Sequence, residues 1–211
     1  EVIRSIYHAV RDHNWDTIPG QISEETIEEN AEGFTISFRF RCKKGSIDFD
    51  QRCLIEGKAD GCITFFLEGE ALSDFRKNRL GLCLLFPAKE CTGSPCKVIH
   101  HDGSEEKGHF PRYISPNQPF KEMKEIHWSI GEKVAVKVTF TGDIYEMEDQ
   151  RNWTDDSYKA YCPPLEHPFP VPLSKGEKIS QTIEVNVSGA PPLSGEHHEE
   201  KMIIRTKKGA T

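Results

Sequence analysis

The sequence has no run of about eighteen apolar residues, so no segment is long enough to cross a bilayer as a helix. It also lacks a Lys/Arg cluster. With 27 basic residues against 34 acidic ones and a formal net charge of -7, it does not carry the electrostatic footprint that nucleic acid or an anionic membrane requires. Small molecules or other proteins remain as partners. No GxSxG elbow, Walker A loop or GxGxxG fingerprint occurs, which leaves elbow-type serine hydrolysis, NTPase chemistry and dinucleotide binding without motif support.

The seven cysteines, at 42, 53, 62, 83, 91, 96 and 162, include no CxxC pair. An odd count at these spacings argues against a zinc ribbon or a disulfide scaffold and points to a reducing, cytoplasmic compartment. Cys91 and Cys96 span a short loop and could bridge if the protein were exported. Metal-binding spacings are missing too. His100-His101-Asp102 sits at a strand end, where adjacent side chains point to opposite faces, and His197-His198 lies in an acidic, linker-like tip. No metal and no cofactor is implied.

What the sequence does contain is alternation. Phe34, Ile36, Phe38 and Phe40 alternate with Thr35, Ser37, Arg39 and Arg41, the pattern of a strand with one buried face. Residues 46–55, 62–67, 97–101, 125–129, 133–145, 178–187 and 202–205 read as further strands, and residues 79–86 form a nearly continuous apolar run expected to be covered on both faces. A first strand is expected over residues 2–10, and an acidic connection around residues 24–32. Residues 74–77 are the one short stretch that could be helical. Asp74 and Arg79, beside it, read as a surface ion pair. Turn signals at Lys43-Lys-Gly45, Ala59-Asp-Gly61, Asp102-Gly103 and Lys175-Gly176 join the strands into meanders. The expected fold is all-β, a large antiparallel sandwich with very little helix. Residues 1–211 form one such domain. The chain opens at Glu1 without Met, as expected of a domain from a longer polypeptide.

Two proline-rich segments, residues 109–120 and 161–172, break the meander and read as ordered crossings with fixed φ angles. Between them lies the densest chemistry in the chain, Glu146-Met-Glu-Asp-Gln-Arg-Asn-Trp-Thr-Asp155 with Tyr158, Lys159 and Tyr161. Acids, amides and Arg are depleted from ordinary strands, and burying them unpaired costs roughly 1–3 kcal/mol each by mutational data. The stretch therefore reads either as the wall of a polar pocket or as a corner that satisfies itself. As a pocket, Trp153 offers a face for a sugar C–H surface. Gln150, Asn152, Asp155 and Lys159 would bind hydroxyls. A second cluster, Arg11, Asp12, Asn14 and Trp15, ends the first strand; it could share the same mouth or simply form an Asx turn.

These residues carry a resemblance. Glu1-Val-Ile-Arg-Ser-Ile-Tyr7, residues 10–19, Arg79-Leu-Gly81, Phe110-Pro111, residues 114–120 and the Glu148-Asp-Gln-Arg-Asn-Trp-Thr-Asp155 segment resemble the N-terminal domain of D-apionate lactonases over nearly the whole chain. The resemblance implies a role in catabolism of the branched pentose apiose, opening apionolactone to the acid. It also implies a longer protein with a TIM-barrel-like region following this domain. The expected architecture is similar to the supersandwich of galactose-mutarotase-like proteins. Lactone opening needs an activated water and an oxyanion stabiliser, for which Glu148 or Asp149 is the expected base and Arg151 the oxyanion or carboxylate partner. The alternatives are a non-catalytic carbohydrate-binding or scaffolding sandwich, and a mutarotase-like epimerase pairing His100 or His127 with Glu148.

Overall fold

The computed structural model describes residues 1–189. The strands, in chain order, are β1 (Ser5–Asp12), β2 (Gly20–Asn30), β3 (Gly33–Lys44), β4 (Ile47–Lys58), β5 (Cys62–Ala71), β6 (Phe75–Pro87), β7 (Pro95–His100), β8 (Glu105–His109), β9 (Met123–Ile130), β10 (Val134–Thr141), β11 (Glu146–Asp149), β12 (Ser157–Tyr161), β13 (Val171–Leu173) and β14 (Lys178–Ser188). A one-turn helix, α1 (Ala88–Cys91), and a 3-10 turn, Gln150–Trp153, are the helical pieces among the described residues. The strands form two antiparallel sheets. The smaller runs β1-β6-β12-β11, with β13 also paired to β6; the larger runs β2-β3-β4-β5-β14-β10-β9-β7-β8.

The expected all-β sandwich is what forms, and the period-2 pattern explains how its core fills. Leu80, Leu82, Leu84 and Phe86 project from one face of β6 and are at most 5% exposed. Leu82, Leu84 and Phe86 meet the inner face of the large sheet at Trp128, Val136, Val138, Phe140, Ile183 and Val185, while Leu80 packs with Phe49 and Ala71 of that sheet. Aromatic rings tie the layers together: Phe86 lies 5.3 Å from Trp128 and 5.5 Å from Phe110, while Phe140 stacks on Tyr145 at 4.5 Å. Such pairs add about 0.5–1.5 kcal/mol each beyond the area they bury.

Several expectations change. Residues 24–32 are mostly strand, not connection: β2 pairs with β3 along the edge of the large sheet. All but one of its residues are exposed, so neither face demanded an apolar alternation and the sequence showed none. Residues 74–77 begin β6 rather than a helix, because Phe75 and Leu173 pair in the register of β6 and β13 and bury together. The strand expected over residues 133–145 ends at Thr141, where Gly142 turns with φ 92°. β1 starts three residues later than expected, while β8, β12 and β13 were not anticipated. Cys91 and Cys96 are free and buried. The strand expected at 202–205 and the His197-His198 tip lie outside the described residues.

One backbone detail anchors β6 to the large sheet. Gly81 has φ 147°, and a Cβ there would come within 2.1 Å of the Gln181 amide oxygen. That oxygen accepts from the Leu82 N–H at 2.9 Å, while the Gln181 amide nitrogen donates to the Leu80 carbonyl at 3.4 Å. Gly81→Ala is therefore expected to destabilise the domain by about 2–3 kcal/mol, from displaced packing and an unmet amide. A urea titration comparing the midpoints of the two proteins checks it.

Candidate functional site

Because the even-numbered side chains of β6 from Leu80 to Phe86 face the large sheet, Arg79, Cys83 and Leu85 turn outward. Register then places Tyr7 beside Cys83, Arg11 beside Arg79, Lys159 beside Leu85, Glu148 beside Lys159 and Glu146 beside Tyr161. The outer face of the small sheet is thus the polar face, and the proline-rich segment 161–172 passes alongside it.

The polar stretch 146–161 is a hairpin: β11, the 3-10 turn, and β12 returning antiparallel. Its alternation separates the predicted residues into two groups. On the outer face, Glu148 accepts from the Gln150 amide at 2.7 Å and from the Trp153 indole N–H at 2.8 Å, and pairs with the Lys159 ammonium at 3.1 Å. Lys159 also donates to the Gln150 side-chain Oε1 at 3.3 Å and lies 5.3 Å over the Tyr161 ring. Trp153 leaves 70% of its surface exposed, an open aromatic face beside an oriented carboxylate and an ammonium. A carboxylate has about four acceptor positions, so Glu148 retains one.

On the inner side, Asp149 is fully buried. It accepts from Arg151 Nε at 2.8 Å, Arg151 Nη2 at 2.7 Å, and the backbone N–H groups of Ser115 at 2.9 Å and Arg151 at 3.2 Å. Burial opposes its charge, but the guanidinium and the two backbone donors outweigh burial and hold the carboxyl below the usual carboxylate range. Arg151 spends its remaining N–H groups on the carbonyls of Pro111, Arg112 and Tyr113, and stacks 4.8 Å over Tyr158. Asn152 donates to the carbonyls of Ser115 and Asp149. These residues fasten the proline-rich crossing 109–120 to the hairpin. Asp155 accepts from the Ser157 hydroxyl at 2.7 Å.

The cluster at the end of β1 divides in the same way. Asp12 is buried, and its carboxylate accepts from the backbone N–H groups of Asn14 and Asp16 at 2.8 and 2.9 Å, the Asx turn weighed above. Asn14 and Arg11 are exposed. Trp15 adopts φ 68°, a region that bulky residues rarely occupy, and packs edge-on against Phe169 at 5.5 Å. Both clusters meet at Arg79, whose guanidinium carbon lies 5.0 Å from the Trp15 ring and 4.9 Å from Tyr161. The surface ion pair expected between Asp74 and Arg79 does not form: Asp74 accepts from the Lys175 N–H, and Arg79 is only 8% exposed.

The sequence reading missed Arg79 and Phe169 as parts of this face, and gave Glu146 and Tyr161 no role of their own within the polar stretch. Parity within the apolar run was the available signal for Arg79, since its neighbours alternate with it across the sheet. Tyr161 donates its hydroxyl to the buried Glu146; burial first, then that carboxylate, push its pKa up. Cys83, at the centre of the face, is held protonated by burial despite the nearby Lys159, Arg11 and Arg79 charges. His127 pairs with Glu125 at 2.9 Å and His100 with Glu106 at 3.3 Å, both on strands of the large sheet. Ile126 and Trp128 point inward beside His127, so it faces away from Glu148 across both layers, and the structure does not bring them together. Among the described residues no group of three His, Cys, Asp or Glu could hold a metal ion, and no helix is long and apolar enough to cross a membrane.

A family model described as D-apionate lactonase, N-terminal domain, matches residues 1–190. The chain belongs to this family. It is 36% identical over 193 residues to a D-apionate lactonase from Brucella anthropi, an alignment that covers 89% of this chain and 31% of that protein. The chain therefore spans about a third of the curated relative. Among solved structures, it resembles a candidate aldose 1-epimerase from Escherichia coli K12 (TM-score 0.52, 13% identity, 80% of this chain and 69% of that one). It also resembles a glycoside hydrolase family 97 enzyme variant from Pseudoalteromonas sp. strain K8 (TM-score 0.53, 10% identity, 88% of this chain and 31% of that one). At these identities the likeness establishes the fold that the family domain shares with aldose-epimerase-like sandwiches.

The buried ion pair makes a pH-dependent prediction. Asp149 has a folded pKa below its unfolded value of about 3.9, so its contribution is full above that pH and is lost as pH falls through the lower folded value. Asp149→Asn should cost about 2–3 kcal/mol at neutral pH, because it leaves the half-buried Arg151 without its anion. The gap between the two proteins should narrow below about pH 4, as measured by denaturant unfolding across pH 2–7.

Proposed function

We propose that this domain is the sugar-facing sandwich of a lactonase that opens D-apionolactone to its acid. The outer face of the small sheet would form one wall of a site completed by the rest of a longer polypeptide. The barrel-like region implied by the family resemblance would supply the other wall. The observation that carries this reading is the outward array of Glu148, Gln150, Lys159 and the exposed Trp153 ring on a chain of this family. The relative's name supports the substrate class, and its greater length supports a composite site.

In this reading Trp153 receives a C–H face of the lactone and Gln150 holds Glu148 in orientation. Glu148 takes a proton from water as the oxygen bonds to the lactone carbonyl carbon, and Lys159 faces the negative charge that develops on the carbonyl oxygen. The ring C–O bond then breaks and its oxygen takes up the proton. Asp149, Arg151 and Asn152 support the wall by fixing the crossing 109–120, and do not touch substrate. We also assign the protein to the cytoplasm, a proposal supported by seven free thiols with no disulfide.

A second reading is a carbohydrate-binding wall without chemistry of its own, favoured by the three donors already engaging Glu148. The mutarotase-like reading has the fold in its support, and needs an acid and base other than the His127 and Glu148 pair.

Replacing Glu148 by Gln in the full-length protein separates the first two readings. Loss of the base should lower lactone turnover by roughly 10²- to 10⁴-fold with a small change in KM. Unchanged turnover would remove Glu148 as base and favour the binding wall.

A further inference from the structure

We propose that Arg79, enclosed by Trp15, Tyr161 and Phe169 on the outer face of the small sheet, is a carboxylate-recognition site that reads the acid group of a sugar acid. The inference deepens the proposed function and rests on it for the substrate class.

Arg79 is 8% exposed, yet among the described residues it makes no ion pair and one hydrogen bond, from Nη1 to the Asn78 carbonyl at 2.6 Å. A guanidinium carries five N–H donors in a fixed plane, and burying that charge without an anion is costly. The rings of Trp15, Tyr161 and Phe169, at 5.0, 4.9 and 6.0 Å from its carbon, offset part of the cost through cation–π attraction. They do not satisfy the in-plane donors.

The nearby carboxylates are all committed elsewhere. Glu146 accepts from the Tyr161 hydroxyl and the Leu165 N–H, Glu148 pairs with Lys159, and Asp12 closes its own turn. The local charge is instead repeated. Arg11 lies directly across the strand pair from Arg79, an arrangement that like charges make unfavourable. Two cations facing each other across the strand pair, with no salt bridge among the described residues, define a place for an anion from outside.

The shape selects the anion. A planar fork matches a carboxylate in two parallel hydrogen bonds, and the surrounding aromatic rings suit the C–H faces of a polyol chain attached to it. A neutral lactone lacks the group that this fork reads, so the site favours the ring-opened acid over its precursor.

Isothermal titration of the full-length protein with D-erythronate, its uncharged counterpart erythritol, and inorganic phosphate tests the proposal. The wild type should bind erythronate with clear preference over both other probes. Arg79→Met should weaken erythronate binding roughly 10- to 100-fold, the loss expected for a charge-assisted pair, and leave erythritol unaffected. Arg79→Lys keeps the charge but not the fork and should fall between; it decides the matter if the Met variant does not fold. Equal erythronate binding by wild type and variants, equal affinity for erythritol or phosphate, or no binding by the folded wild type would overturn the assignment. Lactone turnover measured in parallel separates the two proposals. Arg79-dependent erythronate binding without lactone hydrolysis leaves this site standing and sinks the lactonase reading, whereas hydrolysis with Arg79-independent binding does the reverse.

Discussion

The structure depends on one constraint: β6 has to be covered on both faces. Its inner side chains complete the apolar core against the large sheet, and its outer ones include the charged Arg79 and the polar Cys83. A strand buried on both sides by apolar groups is ordinary. Here the outer cover consists of aromatic rings and paired charges, because cations cannot be enclosed by aliphatic side chains without losing hydration. The placement of Trp15, Tyr161 and Phe169 follows from that requirement.

The Asp149–Arg151 pair solves a related problem at the far end of the hairpin. The crossing 109–120 has few regular backbone partners, and its carbonyls at 111–113 need donors to hold the segment in place. Arg151 donates to all three, Tyr158 adds its hydroxyl to the Pro111 carbonyl, and Asp149 neutralises Arg151 while also accepting from Ser115. Adjacent residues of one motif therefore do different work. Glu148 faces outward to the open side, and Asp149 faces inward to the scaffold, a division set by the two-residue period of a strand.

A domain with this arrangement presents an oriented carboxylate, an ammonium, an exposed indole and a caged guanidinium on one face of a rigid sheet. Rigid presentation matters for a site shared with another part of a polypeptide, since small displacements of reacting groups cost orders of magnitude in rate. The family relationship, with the matched region about a third of the relative's length, fits a wall of this kind.

The alternation at residues 34–40, the double-faced apolar run at 79–86 and the turn signals were enough to establish an all-β sandwich, because burial on one face writes itself into every second residue. β2 was illegible for the same reason reversed: an edge strand exposed on both faces has no pattern to show. The segment 146–155 announced its importance by composition, but composition is blind to which way a side chain points, so Glu148 and Asp149 looked interchangeable. Only the hairpin register told them apart. Only the tertiary structure, too, could bring Arg11, Trp15, Arg79, Tyr161 and Phe169 to one place, since their meeting depends on β1 and β13 flanking β6 and on the path of the 161–172 crossing between them. Sequence determined which strands would bury a face; the pairing of distant strands decided what the other face could recognise.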